Sequence, residues 1–420
     1  MTQLFAGLQT RRILGVAAGA ASAHGVVLLA SPILTRLYSP ADFGVYSFFF
    51  AALGFVAPVA TLRYELAIPL PRSDKAARGI AALGLLASAA LTTLLAVVLG
   101  VGKWLGIPPL ADASTAFLLG LPAGVAATGV YQITNYLAVR HERFGSIAVA
   151  RGGLGIGTSL VQVVLGATAF GSAGLVIGDV VGRIVSAGTL VAGLPDAARE
   201  IGRKLSVRAL RRRAKALRGF PLLSAPAILL NSFGLYLPLA AIGYHYGAAE
   251  AGLLFLAQRA VGLPSALLSS ATSQVYIAEL TRGGRQNPVP IFRQTVARLF
   301  GLAVVPFIIA AAVSPVVFGP LFGAEWINAG QLAMILVPFY FFQLLSGATI
   351  STLDVLMLHK ARFLRETVFV VVTVAVFATP LVWHLNLNDL VLLHSFVGSL
   401  FYIGSLLYVR LLLGQRAPGR

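Results

Sequence analysis

Runs of mostly apolar residues, each about as long as a bilayer is thick once wound into a helix, recur from one end of this chain to the other. Crossing the hydrocarbon core takes roughly 20 such residues. With no water at that depth, an open strand or loop leaves its backbone N–H and C=O groups unsatisfied, whereas a helix pairs them internally. The runs fall near 13–34, 42–61, 80–101, 114–138, 148–169, 172–194, 221–245, 251–277, 293–317, 327–356, 367–385 and 390–412. The expected fold is all-α, a polytopic membrane protein with about twelve transmembrane helices of this length. Composition agrees, since 58% hydrophobic and only 11% charged residues compare with about a quarter charged in soluble domains.

A net charge of +18 would suggest nucleic acid in a soluble protein, but the positions of the charges argue otherwise. With the N-terminus cytoplasmic, every Lys and Arg except Arg36, Lys103, Arg183 and Arg259 falls in or beside a cytoplasmic segment; the opposite loops carry Asp42, Asp112, Glu250, Glu325 and Asp389. That alternation is the positive-inside pattern. It implies an even number of spans with both termini cytoplasmic and removes nucleic acid from the expected partners. Arg11, Arg12, an apolar run and the Ala21-Ser22-Ala23 triplet imitate a cleavable secretory signal. Hydrophobicity continues to Leu34, so the segment reads as an uncleaved first helix. Cysteine is absent, which excludes disulfides, thiol catalysis and Cys-ligated zinc; no metal site is expected.

The longest stretch between apolar runs, 195–219, carries Arg211, Arg212 and Arg213 and lies at mid-chain. It reads as a basic cytoplasmic linker between an N-terminal lobe, 1–194, and a C-terminal lobe, 220–420. A solvated linker and a surface helix on anionic lipid headgroups both fit it, the second at about 1 kcal/mol per basic residue. The halves echo each other. Tyr38, Asp42 and Gly44 around the start of the second run recur as Tyr246, Glu250 and Gly252 around the start of the eighth, all offset by 208 residues. A parallel repeat of this kind predicts two six-helix lobes related by a pseudo-twofold axis with a cavity between them, a geometry suited to alternating access. Pro32, Pro58, Pro122, Pro226, Pro238, Pro264, Pro306, Pro338 and Pro380 lie inside runs, where each removes a helix hydrogen bond. Glycines four apart, Gly15 and Gly19, Gly153 and Gly157, point to close helix packing.

The chain has no G-x-x-x-x-G-K-[ST] phosphate loop, which argues against ATP hydrolysis. It has no G-x-S-x-G or H-E-x-x-H motif either, and its short outer loops leave no place for the paired carboxylates of a sugar polymerase. An enzyme is not expected. Ionisable residues within the runs are the site candidates, because each costs a few kcal/mol at the bilayer centre unless paired or hydrated. Asp179 and Arg183 lie four apart on one helix face, either as a self-satisfied pair or as part of a cavity. Arg259 has no acid within helical reach, so the sequence leaves it an unmatched cation that calls for water or an anionic ligand. Asp354 lies near an inner span end, within reach of Lys360 or Arg362. His24 and His394 fit hydrogen-bonded packing or a site.

Several segments together resemble one family. Residues 32–46 (PILTRLYSPADFGVY) and 62–68 (LRYELAI) resemble the opening of polysaccharide-biosynthesis flippases. Phe220, Pro221, Asn231 and 256–264 (LAQRAVGLP) resemble their seventh and eighth spans, and 321–326 (LFGAEW) with Ala329, Gly330 and Pro338 resembles their ninth-to-tenth junction. The motif residues are Arg36, Asp42, Gly44, Tyr64, Glu65, Gln258, Pro264, Glu325 and Trp326, with Glu250 and Gly252 as repeat counterparts. The family is that of O-antigen and exopolysaccharide flippases, within the multidrug/oligosaccharidyl-lipid/polysaccharide exporter (MOP) superfamily. The resemblance implies two six-helix lobes around a V-shaped central cavity in the bacterial inner membrane. The implied substrate is undecaprenyl-pyrophosphate-linked oligosaccharide, moved from the cytoplasmic to the outer leaflet for surface polysaccharide such as lipopolysaccharide or exopolysaccharide. It further implies an H+ or Na+ gradient as driving force, no cofactor, and other polysaccharide-assembly membrane proteins as partners. Family cavities are often cationic, which makes Arg183 and Arg259 the residues to face pyrophosphate, whose geometry a guanidinium fork matches. Arg63, in the motif with Tyr64 and Glu65, serves the cavity or packing. Two alternatives stay open: a drug or organic-cation antiporter on the same fold, for which Asp179 is the buried carboxylate, and a membrane polysaccharide polymerase.

Overall fold

The computed structural model describes residues 25–108, 110–194, 206–282, 288–356 and 358–415. The apolar runs become helices α1 (Gly25–Leu37), α2 (Pro40–Val56), α3 (Asp74–Trp104), α4 (Thr115–Arg140), α5 (Phe144–Ala167) and α6 (Ser172–Ala192). A short helix, α7 (Val207–Ala216), precedes α8 (Ala225–Tyr246), α9 (Ala248–Arg282), α10 (Pro288–Phe322), α11 (Ile327–Thr349), α12 (Ser351–Val355), α13 (His359–Ala378) and α14 (Leu387–Gly414). No strand occurs among the described residues. Among the described residues, eleven helical segments are long and apolar enough to cross a membrane, and α1 is a shorter apolar helix. Arg11, Arg12, Gly15, Gly19 and His24 lie outside the described residues.

Local chemistry sets the helix starts. Ser73, Ser114 and Asn386 accept hydrogen bonds from the N–H groups of Ala76 (3.3 Å), Phe117 (3.2 Å) and Asp389 (2.9 Å), covering donors that the first turn of a helix leaves free. α2 opens on a reciprocal box. Ser39 caps it, the Asp42 N–H donates to the Ser39 hydroxyl (3.2 Å), and the Asp42 carboxylate accepts from the Ser39 N–H (3.1 Å). Pro40 stands at the first helical position, where a missing N–H costs nothing. Pro122, Pro238, Pro264, Pro306 and Pro338 lie within continuous helices, while Pro58 and Pro380 sit in 3-10 turns following α2 and α13.

Several span boundaries differ from the sequence expectation: the third, expected from 80, starts at Asp74, and the ninth, expected at 293–317, runs Pro288–Phe322. The second span continues through 3-10 turns, Ala57–Val59 and Tyr64–Ala67, to Ala67. The eleventh, expected at 367–385, starts at His359. Lys360, Arg362, Arg365 and Glu366 lowered the hydropathy of a stretch that nonetheless winds as helix, because helix continuation depends on backbone bonding and not on apolarity.

The chain forms two compact units. Among the described residues, the first takes in those up to Tyr38 and Phe48–Ser232, the second Ser39–Ser47 and Phe233 onward. The core of the first gathers Tyr64, Ala67 and Ile68 against Ile80 and Ala81 of α3, Ile133 and Leu137 of α4, Ile147 of α5 and Leu190 of α6. α5 and α6 lie close: Gly157 faces Gly182, and a side chain at Gly182 would strike Thr158. The Tyr38 hydroxyl donates to the Gln162 carbonyl (2.7 Å). The second unit packs Tyr276, Leu280, Phe292, Leu353, Val409 and Leu413 together, with aromatic layers around Phe339 and Phe341. Leu86, Leu94 and Val97 of α3 and Leu302, Ile308 and Val316 of α10 are exposed, apolar faces that belong in lipid.

Candidate functional site

Each unit carries its own buried charges. In the first, the Arg183 Nε donates to Asp179 Oδ2 at 2.7 Å, with side chains 20% and 7% exposed. The same guanidinium reaches the Thr128 hydroxyl of α4 at 3.4 Å. The helical spacing therefore produces the expected pair, and Thr128 adds a partner on a second helix.

A second cluster lies where α2 ends. Leu62 and Arg63, neither a glycine, both take left-handed backbone, φ 50° and 65°, a conformation that costs of order 1–3 kcal/mol per residue and persists only where its surroundings enforce it. The turn brings Arg63 Nη1 within 3.3 Å of Glu65 Oε1, and Glu65 is 1% exposed. The Thr61 hydroxyl donates to the same carboxylate, while Gln132 of α4 donates to the Ala57 carbonyl at 2.9 Å. Arg63 Nε is buried without a hydrogen-bond partner among the described residues. Tyr64, between the charged pair, points into the core.

In the second unit Arg259 is 9% exposed, and its guanidinium carbon lies 6.0 Å from the Phe255 ring centroid. The reading of Arg259 as an unmatched cation is therefore corrected. Phe255, one turn before it, offers the negative face of its ring. Gln258 is half-buried and Pro264 exposed on the same helix. Asp354 falls on α12, and its side chain lies outside the described part of the structure. His394 is buried between Phe339 (4.8 Å) and Phe377 (5.0 Å).

The sequence reading passed over one further cluster. Arg365 of α13 donates to Ser405 Oγ at 2.6 Å, Glu366 Oε1 at 2.7 Å and Ser346 Oγ at 3.4 Å. Its guanidinium carbon lies 5.1 Å from the Phe401 centroid and 5.8 Å from that of Tyr402. Gln343 donates to the Tyr402 hydroxyl at 2.9 Å. α11, α13 and α14 thus meet on one guanidinium, 10% exposed. Placing the eleventh span at 367 left Arg365 and Glu366 outside it; an adjacent opposite-charge pair bordering an apolar run was the available signal. Arg365→Ala should cost about 3 kcal/mol, the lower end for breaking a buried pair. Arg365→Lys should recover only part, because an ammonium lacks the planar fork; thermal unfolding in detergent measures both.

Phe43 meets Trp326 edge-on at 4.9 Å, and Trp326 is 1% exposed. Glu325 lies in the 3-10 turn before α11, after Gly323 at φ 111°. Arg36 is exposed and Glu250 half-buried. Gly44 and Gly252 form a reciprocal contact: a methyl on Gly44 would fall into the Ala248 carbonyl, and one on Gly252 into the Pro40 carbonyl. The 208-residue offset maps Pro40 to Ala248 and Gly44 to Gly252, so the crossing of α2 with α9 maps onto itself, as a local twofold requires.

Long apolar helices gathered in two compact units define a multi-pass membrane protein. The chain belongs to the polysaccharide biosynthesis protein family, which it matches over residues 33–331. No curated protein matches the sequence. Among solved structures, it is similar to the lipid II flippase MurJ in an inward closed conformation, with TM-score 0.75 and 11% identity, covering 95% of this chain and 87% of that one. It is also similar to a multidrug resistance MATE family transporter of the MOP superfamily in an inward-facing conformation, with TM-score 0.71, 15% identity and coverage of 95% and 98%. A MATE structure in complex with MaL6 aligns with TM-score 0.60 and 13% identity, covering 96% and 94%. The chain shares the fold of these structures.

Proposed function

We propose that this chain is a lipid-linked oligosaccharide flippase. It carries undecaprenyl-pyrophosphate-linked repeat units from the cytoplasmic to the outer leaflet of the bacterial inner membrane by alternating access, driven by an H+ or Na+ gradient, with both termini cytoplasmic and no enzymatic step. The observation that carries this reading is the joining of polysaccharide-biosynthesis family membership, over residues 33–331, to a fold shared along 95% of the chain with a lipid II flippase. The half-buried guanidinium of Arg183 and the buried one of Arg259 supply cationic chemistry for a pyrophosphate. Deleting the gene should deplete surface polysaccharide and accumulate lipid-linked intermediates on the cytoplasmic face; unchanged levels of both would sink the proposal.

The MATE resemblance keeps a drug or organic-cation antiporter as the second reading. That role needs a carboxylate able to bind a cation, and Asp179, the candidate, already holds Arg183 at 2.7 Å. Loss of drug export on Asp179→Asn would favour it nonetheless. For the leading reading, Arg259→Ala should lower transport more than membrane abundance, while Arg259→Lys keeps the cation beside Phe255 and partial transport. Equal loss of protein and transport would place Arg259 in folding alone.

A further inference from the structure

α7 differs from every other helix described. It carries Arg208, Arg211, Arg212, Arg213 and Lys215, no acid, and no fully buried residue. Its cations divide between two faces. Arg213 turns inward: its guanidinium occupies the space a side chain at Gly79 of α3 would fill, and Nη1 is buried with no hydrogen-bond partner among the described residues. Ala209, Leu210, Ala214 and Leu217 lie half-buried on the same side, and Leu217 and Phe220 continue onto the core of the first unit. At about 100° per residue, this rotation points Arg208, Arg211 and Lys215 directly away from α3 and Arg212 sideways; all four are exposed.

The depth of α7 identifies what those four cations meet. Gly79 stands near the start of α3, and Leu86, 55% exposed on the apolar face of α3, follows about 10 Å further along the axis at 1.5 Å per residue. A helix docked at Gly79 therefore lies where hydrocarbon gives way to headgroups. Exposed Arg72 and Lys75 flank the same end of α3, whose acid, Asp74, is held by Arg140 at 2.8 Å. We infer that α7 is an anionic-lipid dock: Arg208, Arg211, Arg212 and Lys215 bind phospholipid headgroups, while Arg213 contacts no lipid and pins the helix to Gly79. The inference requires only that the spans lie in a bilayer, and stands whatever the protein carries.

The chain has no cysteine, so Val207→Cys places a single reporter thiol on the exposed start of α7. The full-length protein is assembled in nanodiscs of phosphatidylcholine with or without phosphatidylglycerol, and labelling by a water-soluble maleimide is timed. Phosphatidylglycerol should slow labelling, and added salt should reverse the effect. Each of Arg208→Gln, Arg211→Gln, Arg212→Gln and Lys215→Gln should weaken the protection up to about five-fold, the equivalent of ~1 kcal/mol per cation. Gly79→Val, by expelling Arg213, should speed labelling in both lipid mixtures. Labelling at the same rate in both mixtures overturns the proposal. So does protection by inorganic pyrophosphate in neutral nanodiscs equal to that by lipid, which would assign the face to a soluble anion. The unfolding midpoint of each variant separates loss of docking from loss of fold.

Discussion

Alanine at Gly44 or Gly252 is expected to remove most folded protein from the membrane, the largest effect of any single methyl added to this chain. Each glycine sits on a backbone carbonyl of the opposing helix, Ala248 or Pro40. A carbonyl cannot rotate aside as a side chain can, so the helices must separate. Overpacking typically costs 1–3 kcal/mol and occasionally more; a backbone obstacle puts both substitutions at about 3 kcal/mol or above on that scale. Separation would also draw Phe43 from Trp326 and Tyr46 from Phe255, ring contacts of 4.9 and 5.5 Å. Because both glycines serve one crossing, the double variant should cost clearly less than the sum of the singles, as coupled neighbours do. Gly100→Ala and Gly404→Ala meet nothing within 4 Å and should be neutral or gain up to about 1 kcal/mol in helix propensity. Unfolding of the purified variants in detergent measures all five; additive costs at Gly44 and Gly252 would show that the two do not share a contact.

Breaking the Asp179–Arg183 pair should be nearly as damaging, but reparable. Asp179→Asn or Arg183→Gln alone leaves its partner's charge on a buried helix face, and removing one member of such a pair typically costs about 3–5 kcal/mol. Arg183 is 20% exposed and retains Thr128 at 3.4 Å, so Asp179→Asn should fall at the low end. Arg183→Gln should fall higher, since Asp179 is 7% exposed. The double variant Asp179→Asn/Arg183→Gln removes both charges and should recover much of the abundance. A cycle of the four proteins, read by unfolding in detergent, should return a coupling within the 0.5–3 kcal/mol found for touching residues. A coupling near zero would mean that the 2.7 Å contact adds nothing to stability. If the double variant recovers abundance but not transport, the pair takes part in carriage as well as folding.

Interactions that close within a turn or two of chain were legible from residue order. The spans follow from apolar runs and the Asp179–Arg183 pair from spacing by four; the Ser39, Pro40 and Asp42 box that opens α2 closes just as locally, although the sequence reading placed that span from 42 and did not use it. Arg259 belongs with them: Phe255 stands four residues earlier, and a search confined to opposite charges missed an aromatic partner that order alone displays. The left-handed turn at Leu62 and Arg63 was not legible, since neither is a glycine and the conformation is enforced by what surrounds Glu65.

Packing between distant segments decided the rest. The 208-residue recurrence marked Gly44 and Gly252 as related but not as touching; only the crossing of α2 with α9 makes each glycine necessary to the other. Arg365 looked like one more loop cation until α11 and α14 supplied Ser346, Ser405 and two aromatic rings around it. Arg213 was one of three consecutive arginines that nothing in the order of residues distinguishes, and docking on Gly79 turned it away from its neighbours. Order along the chain governs what a helix can do for itself. Which of its faces meets lipid, a charge or another helix depends on neighbours remote in sequence, whose positions no local spacing encodes.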